Sequence, residues 1–207
     1  MDLFLTSYLA GTKKLLKEFL QPLVSKEVVF IPTAANVEEY KEYVDEAISV
    51  FQELGFHIKM MGVAAMETSQ IKELLKNCSC LYISGGNTFY LLQELKRKGI
   101  DKTIVDRVSD GIVYIGESAG AIIASADIEY NQIMDDKTVA EDLKDYSGMN
   151  LFNSYILPHY GEFPFAQSSK ETLEAYGSSL DLLPLTNSQA LIVTADGYKI
   201  LEERSVR

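Results

Sequence analysis

The 207-residue sequence contains no tryptophan, two histidines and two cysteines, and each scarcity narrows what the chain can be. Cys78 and Cys80 sit one residue apart in "NCSC", too close to frame a disulfide scaffold, and no third cysteine exists to complete a thiolate metal site. Reduced, buried thiols are expected, with no metal and no cofactor. No apolar run approaches the roughly 18 residues of a membrane span. The opening "MDLFLTSYLAG" carries an acid at its second position and only a short apolar stretch, unlike a secretory signal, so a cytoplasmic location is expected. Basic residues are also in short supply: 19 Lys and Arg stand against 30 Asp and Glu, a formal net charge of -11, with the acids scattered. Neutralising phosphates needs a basic patch, so neither nucleic acid nor an anionic membrane is expected as the main partner.

What is present fits an ordinary globular protein. Apolar residues make up 47% and charged residues 24%. A chain of this length buries roughly 70% of its unfolded surface and needs no staple. No repeat, low-complexity tract or Pro/Gly/Ser-rich linker interrupts it, so residues 1–207 are expected to form one domain. Short β-rich runs recur: "DLFLT", "EVVFIPTA", "FHIKMMGV", "CLYISGG", "GIVYIGES" and "SYILPHY". Between them, Val37 to Leu54 places apolar residues at steps of mostly three and four, predicting an amphipathic helix that Gly55 ends. Asn87 to Lys98 repeats the pattern before Gly99. Strands alternating with helices predict an α/β fold with a mostly parallel sheet. Asp196-Gly197 between two alternating runs predicts a C-terminal antiparallel hairpin. Asn131 to Asn150 is polar, acidic and aperiodic, the pattern of a long and often functional loop.

One stretch, "IVYIGESAGAIIAS", ends an apolar run in Gly116-Glu117-Ser118-Ala119-Gly120. In a G-x-S-x-G elbow, a strand turns sharply into a helix and projects the serine oxygen at the carboxyl end of the sheet, where open α/β sheets carry their sites. The following N–H, from Ala119, would sit at the positive end of a helix and could stabilise an oxyanion. Ser118 could equally be a plain helix cap. A second corner, Gly85-Gly86-Asn87 in "ISGGNTFYLL", could supply the other oxyanion donor or be a tight turn with Asn87 as cap. A serine nucleophile needs a base. His57 opens its strand-like run and so lies at the wrong end of a parallel sheet, whereas His159 follows "SYILP" on the side where loops converge.

Taken together, "FIPTA", "ISGGNTFYLL", "YIGESAGA" and "ILPHY" occur in the order and at the spacing of the peptidase E family, the α-aspartyl dipeptidases, with cyanophycinases more distant. The chain resembles that family over nearly its whole length. The resemblance implies a three-layer αβα sandwich related to class I glutamine amidotransferases, with serine in place of cysteine at the elbow. It implies Ser118 as nucleophile, His159 as general base, and the backbone at Gly86, Asn87 and Ala119 as the oxyanion site. It further implies short peptides as substrates and a homodimer as a possible assembly. Two positions depart from the family. Its late "LPEGN"-like turn carries an acid that orients the histidine; here "LPLTNSQ" puts Asn187 nearest that place, with Asp135, Asp136 and Glu162 as rivals. Its aspartyl-binding arginine is replaced by Leu173, with Lys170 about a helical turn away, so weak or absent cleavage of Asp-X dipeptides is expected. A small α/β esterase and a catalytically weak ligand-binding homologue remain as alternatives.

Overall fold

The structure, a computed structural model, describes residues 1–203; residues 204–207, the end of the expected domain, lie outside the described residues. In chain order the elements are β1 (Asp2–Thr6), α1 (Lys13–Phe19), β2 (Glu27–Ile31), α2 (Glu42–Glu53), β3 (His57–Met60), α3 (Thr68–Lys76), β4 (Cys80–Ile83), α4 (Thr88–Arg97), α5 (Ile100–Ser109), β5 (Val113–Glu117), α6 (Ala119–Ile122), β6 (Tyr155–Leu157), α7 (Ala166–Tyr176), β7 (Leu182–Pro184), β8 (Gln189–Thr194) and β9 (Gly197–Glu202). Seven strands form the central sheet in the order β3-β2-β4-β5-β1-β8-β9. The first five are mutually parallel, and β8 joins β1 antiparallel before turning back as β9.

Strand alternation divides the core. Leu3, Leu5, Val29, Ile31, Leu81, Ile83 and Tyr114 face one layer with α3, α4 and α5, while Phe4, Val28, Phe30, Tyr82 and Ile115 face the other with α1 and α2. Both faces are therefore apolar, which is why these strands read as near-continuous hydrophobic runs. The second layer holds an aromatic cluster in which Tyr82 lies 4.4 Å from Phe30 and 5.1 Å from Phe51, ring centre to ring centre. Fully burying side chains of this kind stabilises by about 1.5–3 kcal/mol each. Cys78 and Cys80 are free and buried.

Three local expectations shift. The helix predicted from Val37 begins at Glu42; residues Thr33–Val37 instead form a 3-10 turn, because Val37 and Tyr40 are exposed rather than turned to the core. The C-terminal hairpin forms, but Thr194 pairs with Gly197, so the two-residue loop is Ala195-Asp196 and Gly197 takes the left-handed φ of 118°. The "SYILPHY" run does not join the main sheet: β6 pairs in parallel with β7 as a separate two-stranded ribbon. The long segment from Asn131 to Asn150 carries 3-10 turns and an isolated bridge from Ser147 to Asp127, and is tied back by bonds such as Met149 N–H to Ile123 O, at 2.7 Å.

Candidate active site

The carboxyl ends of β4, β5 and β1 meet at one edge, and β5 leads into the elbow. Ser118 has φ 47° and ψ −106°, a conformation an ordinary residue adopts at a cost of about 1–3 kcal/mol. Its N–H donates to the Thr6 carbonyl at 2.9 Å, and its carbonyl accepts from Ala121 and Ile122. Packing fixes the corner as well. A Cβ on Gly116 would lie 2.4 Å from the Gly120 carbonyl oxygen, and one on Gly120 would lie 2.3 Å from that of Ile83. Both glycines of the motif are thus required by close backbone approach. The Ser118 hydroxyl caps no helix N–H.

That hydroxyl instead meets His159, whose Nε2 is 3.0 Å from Ser118 Oγ. His159 Nδ1 lies 2.7 Å from Asn187 Oδ1. An amide oxygen accepts, so Nδ1 carries the ring proton and Nε2 presents its lone pair to the serine. The ring stacks on Phe165 at 4.7 Å between centres. The backbone of His159, at φ 56°, is anchored where its N–H donates to Ser7 Oγ at 3.0 Å, and Ser7 in turn donates to the Leu185 carbonyl at 2.9 Å. Burial lowers the imidazole's pKa below its usual value, opposed by the Asn187 bond and the charge of Glu162, so the ring is neutral and basic near pH 7.

The other expected positions separate. Glu162 accepts from the Asn187 N–H at 3.4 Å and so stands behind that residue. Asp135 accepts from the Thr88 N–H and from Asn131, and Asp136 caps the 3-10 turn at Lys137–Val139. Neither is bonded to the imidazole. His57 is exposed on the edge strand β3. Leu173 is half-buried against the core, and neither it nor Lys170 lines the cleft.

Of the three backbone groups expected at the oxyanion site, two have N–H groups without a protein acceptor among the described residues and the third does not. Gly86, at φ 124°, has no room for a side chain, since a Cβ would lie 2.3 Å from the Ala34 carbonyl carbon. Among the described residues neither the Gly86 nor the Ala119 N–H meets a protein acceptor. The Asn87 N–H, by contrast, donates to the Ala34 carbonyl at 3.0 Å and is not available to an oxyanion. Its side chain is engaged too: Oδ1 accepts from Tyr90 N–H and Nδ2 donates to the Asp136 carbonyl. The helix after Ser118 is a single turn, so any positive field there comes from local N–H groups rather than a long macrodipole.

A cleft of about 840 Å³ opens over these groups, lined by Ser118, His159, Asn187, Tyr43, Phe165 and Met134 among others. Several members escaped the sequence reading. Glu117, beside Ser118, is buried, accepts from the Leu9 N–H at 2.7 Å and from the Tyr82 hydroxyl, and is pushed by burial up to a pKa of about 7. A carboxylate at the end of an apolar strand is itself a signal of such a role. Phe165 was visible as an aromatic shortly after His159. Ser7 and Tyr43 carried no local signal, since only the tertiary fold brings them to the site. Among the described residues no cluster of three or more His, Cys, Asp and Glu side chains could hold a metal ion.

Comparison with known proteins agrees over almost the entire chain. The model of peptidase family S51 matches residues 3–201. An uncharacterized peptidase of Pasteurella multocida is 39% identical over 191 residues, 92% of each chain, and one of Listeria innocua is 41% identical over 192 residues, 93% of this chain and 92% of its own. A crystal structure described as a candidate peptidase E protein of Listeria monocytogenes superposes with a TM-score of 0.94 at 36% identity, covering 98% of both chains. The chain belongs to peptidase family S51.

Proposed function

We propose that the protein is a serine-type peptidase of short peptides, with Ser118 as nucleophile, His159 as general base and Asn187 as the group that orients the imidazole. The observation that carries this reading is the hydrogen-bonded line from Ser118 Oγ through the His159 ring to Asn187 Oδ1, with distances of 3.0 and 2.7 Å. Ser118 Oγ attacks the scissile carbonyl as Nε2 takes its proton, forming a tetrahedral oxyanion beside the Gly86 and Ala119 N–H groups. The imidazolium then gives that proton to the leaving amine, the C–N bond breaks, and an acyl ester on Ser118 remains. Water, deprotonated by the same nitrogen, hydrolyses the ester and restores the serine. Asn187 fixes the tautomer but, being uncharged, stabilises the imidazolium less than a carboxylate does.

A cleft of about 840 Å³ is of the size that holds a small ligand, in keeping with a substrate of few residues. With Leu173 packed against the core and no arginine among the described residues that line the cleft, turnover of Asp-X dipeptides is expected to be weak. The test is digestion of a dipeptide and tripeptide library by wild type and by Ser118→Ala. Hydrolysis by the wild type that the variant lacks supports the reading, and equal hydrolysis by both defeats it. Equal or better turnover of Asp-X than of neutral dipeptides would refute the specificity.

A further inference from the structure

Among the described residues, the charged side chains that line the cleft are all acidic. Glu38, Glu46, Glu117, Asp135 and Asp136 line it, and among the described residues no lysine or arginine does. Lys41, the cation that acts on Glu38, has its ammonium 3.4 Å from the Asn36 carbonyl. Tyr43 feels the charges of Glu38, Glu117 and Asp135 together, and burial with these charges pushes its phenol pKa upward. Its ring carbon Cε2 lies 3.6 Å from where a Cβ on Gly85 would be, a point itself 3.3 Å from Ser118 Cβ. This negative region therefore reaches the nucleophile's immediate neighbourhood. Tyr40 stands beside Tyr43 at 6.1 Å between ring centres, and both line the cleft.

Two polar atoms in the same wall lack partners. The Tyr43 hydroxyl is buried without a hydrogen bond. Asn131, fully buried, donates through Nδ2 to Thr88 Oγ1 and Asp135 Oδ2 at 3.1 and 2.8 Å, which leaves Oδ1 as a buried acceptor with no donor. Buried polar atoms without a partner in the protein are rare, and where they line a cleft they can serve a polar group that enters it. A surplus of acceptors, clustered acids and two aromatic rings is what an ammonium or guanidinium group requires.

We propose that the wall carrying Glu38, Tyr40, Tyr43, Asn131 and Asp135 is a cation subsite that takes a positively charged group of the peptide substrate. The preferred substrates are then peptides with a free, and best a basic, amino-terminal residue, the opposite of an aspartyl preference. The assignment to a substrate rests on the reading of Ser118 as nucleophile; the cation subsite itself can be tested without turnover.

Calorimetric binding to the Ser118→Ala protein separates the sources of charge. L-Lysinamide carries two cations, L-norleucinamide only the α-ammonium, and N-acetyl-L-norleucinamide none. Lysinamide is expected to bind about ten-fold more tightly than norleucinamide, and norleucinamide about ten-fold more tightly than the acetylated amide, with both steps shrinking as salt rises. Equal binding of the first two, both well above the third, assigns the subsite to the α-ammonium alone. Glu38→Gln, at a half-exposed position where folding is not at stake, and Asp135→Asn should each weaken cation binding several-fold while leaving the acetylated amide unaffected. No preference for cations over the neutral amide, or a preference indifferent to Glu38→Gln, overturns the proposal. Intact cation preference in a wild type that hydrolyses no peptide would defeat the peptidase reading and leave the subsite standing.

Discussion

Two corners of the sheet start alike and are used differently. After β4, Gly85 and Gly86 lead into Asn87, whose side chain accepts from the Tyr90 N–H and starts a ten-residue helix. At the end of β5, Gly116 and Glu117 lead into Ser118, whose hydroxyl makes no cap bond and which starts a helix of four residues. The first polar side chain stabilises its helix in the ordinary way. The second is held at φ 47° and left free for the imidazole. The difference teaches that a polar residue at a helix start supports the fold when its oxygen satisfies the helix, and becomes available for chemistry when other contacts hold the corner. Here those contacts are the Thr6 carbonyl and the close approach of Gly120 to the Ile83 backbone.

The comparison is broken most severely at Ser118. On the proposed mechanism, Ser118→Ala is expected to cut kcat by up to about a million-fold, with little change in Tm because the hydroxyl caps nothing. Steady-state kinetics beside a melting curve would check both halves.

The next effect concerns the base. With His159 lowered below its usual pKa, and only the neutral ring able to accept the serine proton, the acid limb of kcat/KM should lie at lower pH than that of an ordinary imidazole. Asn187→Ala should cost about a hundred- to ten-thousand-fold in kcat, whereas Asn187→Asp places a carboxylate beside the ring, raises its pKa, and should move the acid limb to higher pH. An unmoved limb in the Asp variant would argue against the Asn187–His159 contact.

Glu117 links the two corners, since it lies at the end of β5 and accepts from Tyr82 of β4 and from the Gly85 N–H. Its folded pKa, about 7, is raised above the ordinary 4.5. Between those values the unfolded chain has released a proton that the folded chain keeps, so this group lowers stability as pH rises, by roughly 3 kcal/mol once pH exceeds 7. Glu117→Gln should flatten the decline in Tm between about pH 4.5 and 7, measured against wild type.

The smallest effect belongs to the capped corner. Asn87→Ala should cost about 1 kcal/mol of stability in denaturant unfolding, unlike Ser118→Ala, and leave the Ser118–His159 pair in place.

Much of this arrangement is legible in the sequence. The parallel strands announce themselves because both faces are buried, and the elbow because strand ends converge on one side of such a sheet; His159 is expected there on the same ground, yet it follows β6 of the separate two-stranded ribbon. What stayed hidden depends on distant partners. The commitment of the Asn87 N–H follows from the Ala34 carbonyl, carried on a 3-10 turn after β2 that no local pattern marks. The displaced start of α2 has a similar origin: Val37 and Tyr40 fit a helical period, but they line the cleft rather than the core, and periodicity alone cannot tell one apolar environment from the other. The choice among Asn187, Asp135, Asp136 and Glu162 likewise required the fold, because the ring geometry and not the charge of the candidate decides which oxygen reaches Nδ1.

The central claim, that Ser118 is a nucleophile activated by His159, is tested most directly by a fluorophosphonate probe followed by intact mass and peptide mapping. The account predicts one adduct, on Ser118, that disappears in Ser118→Ala and forms far more slowly in His159→Ala. Absence of labelling in the wild type, or an adduct on another residue, would contradict it.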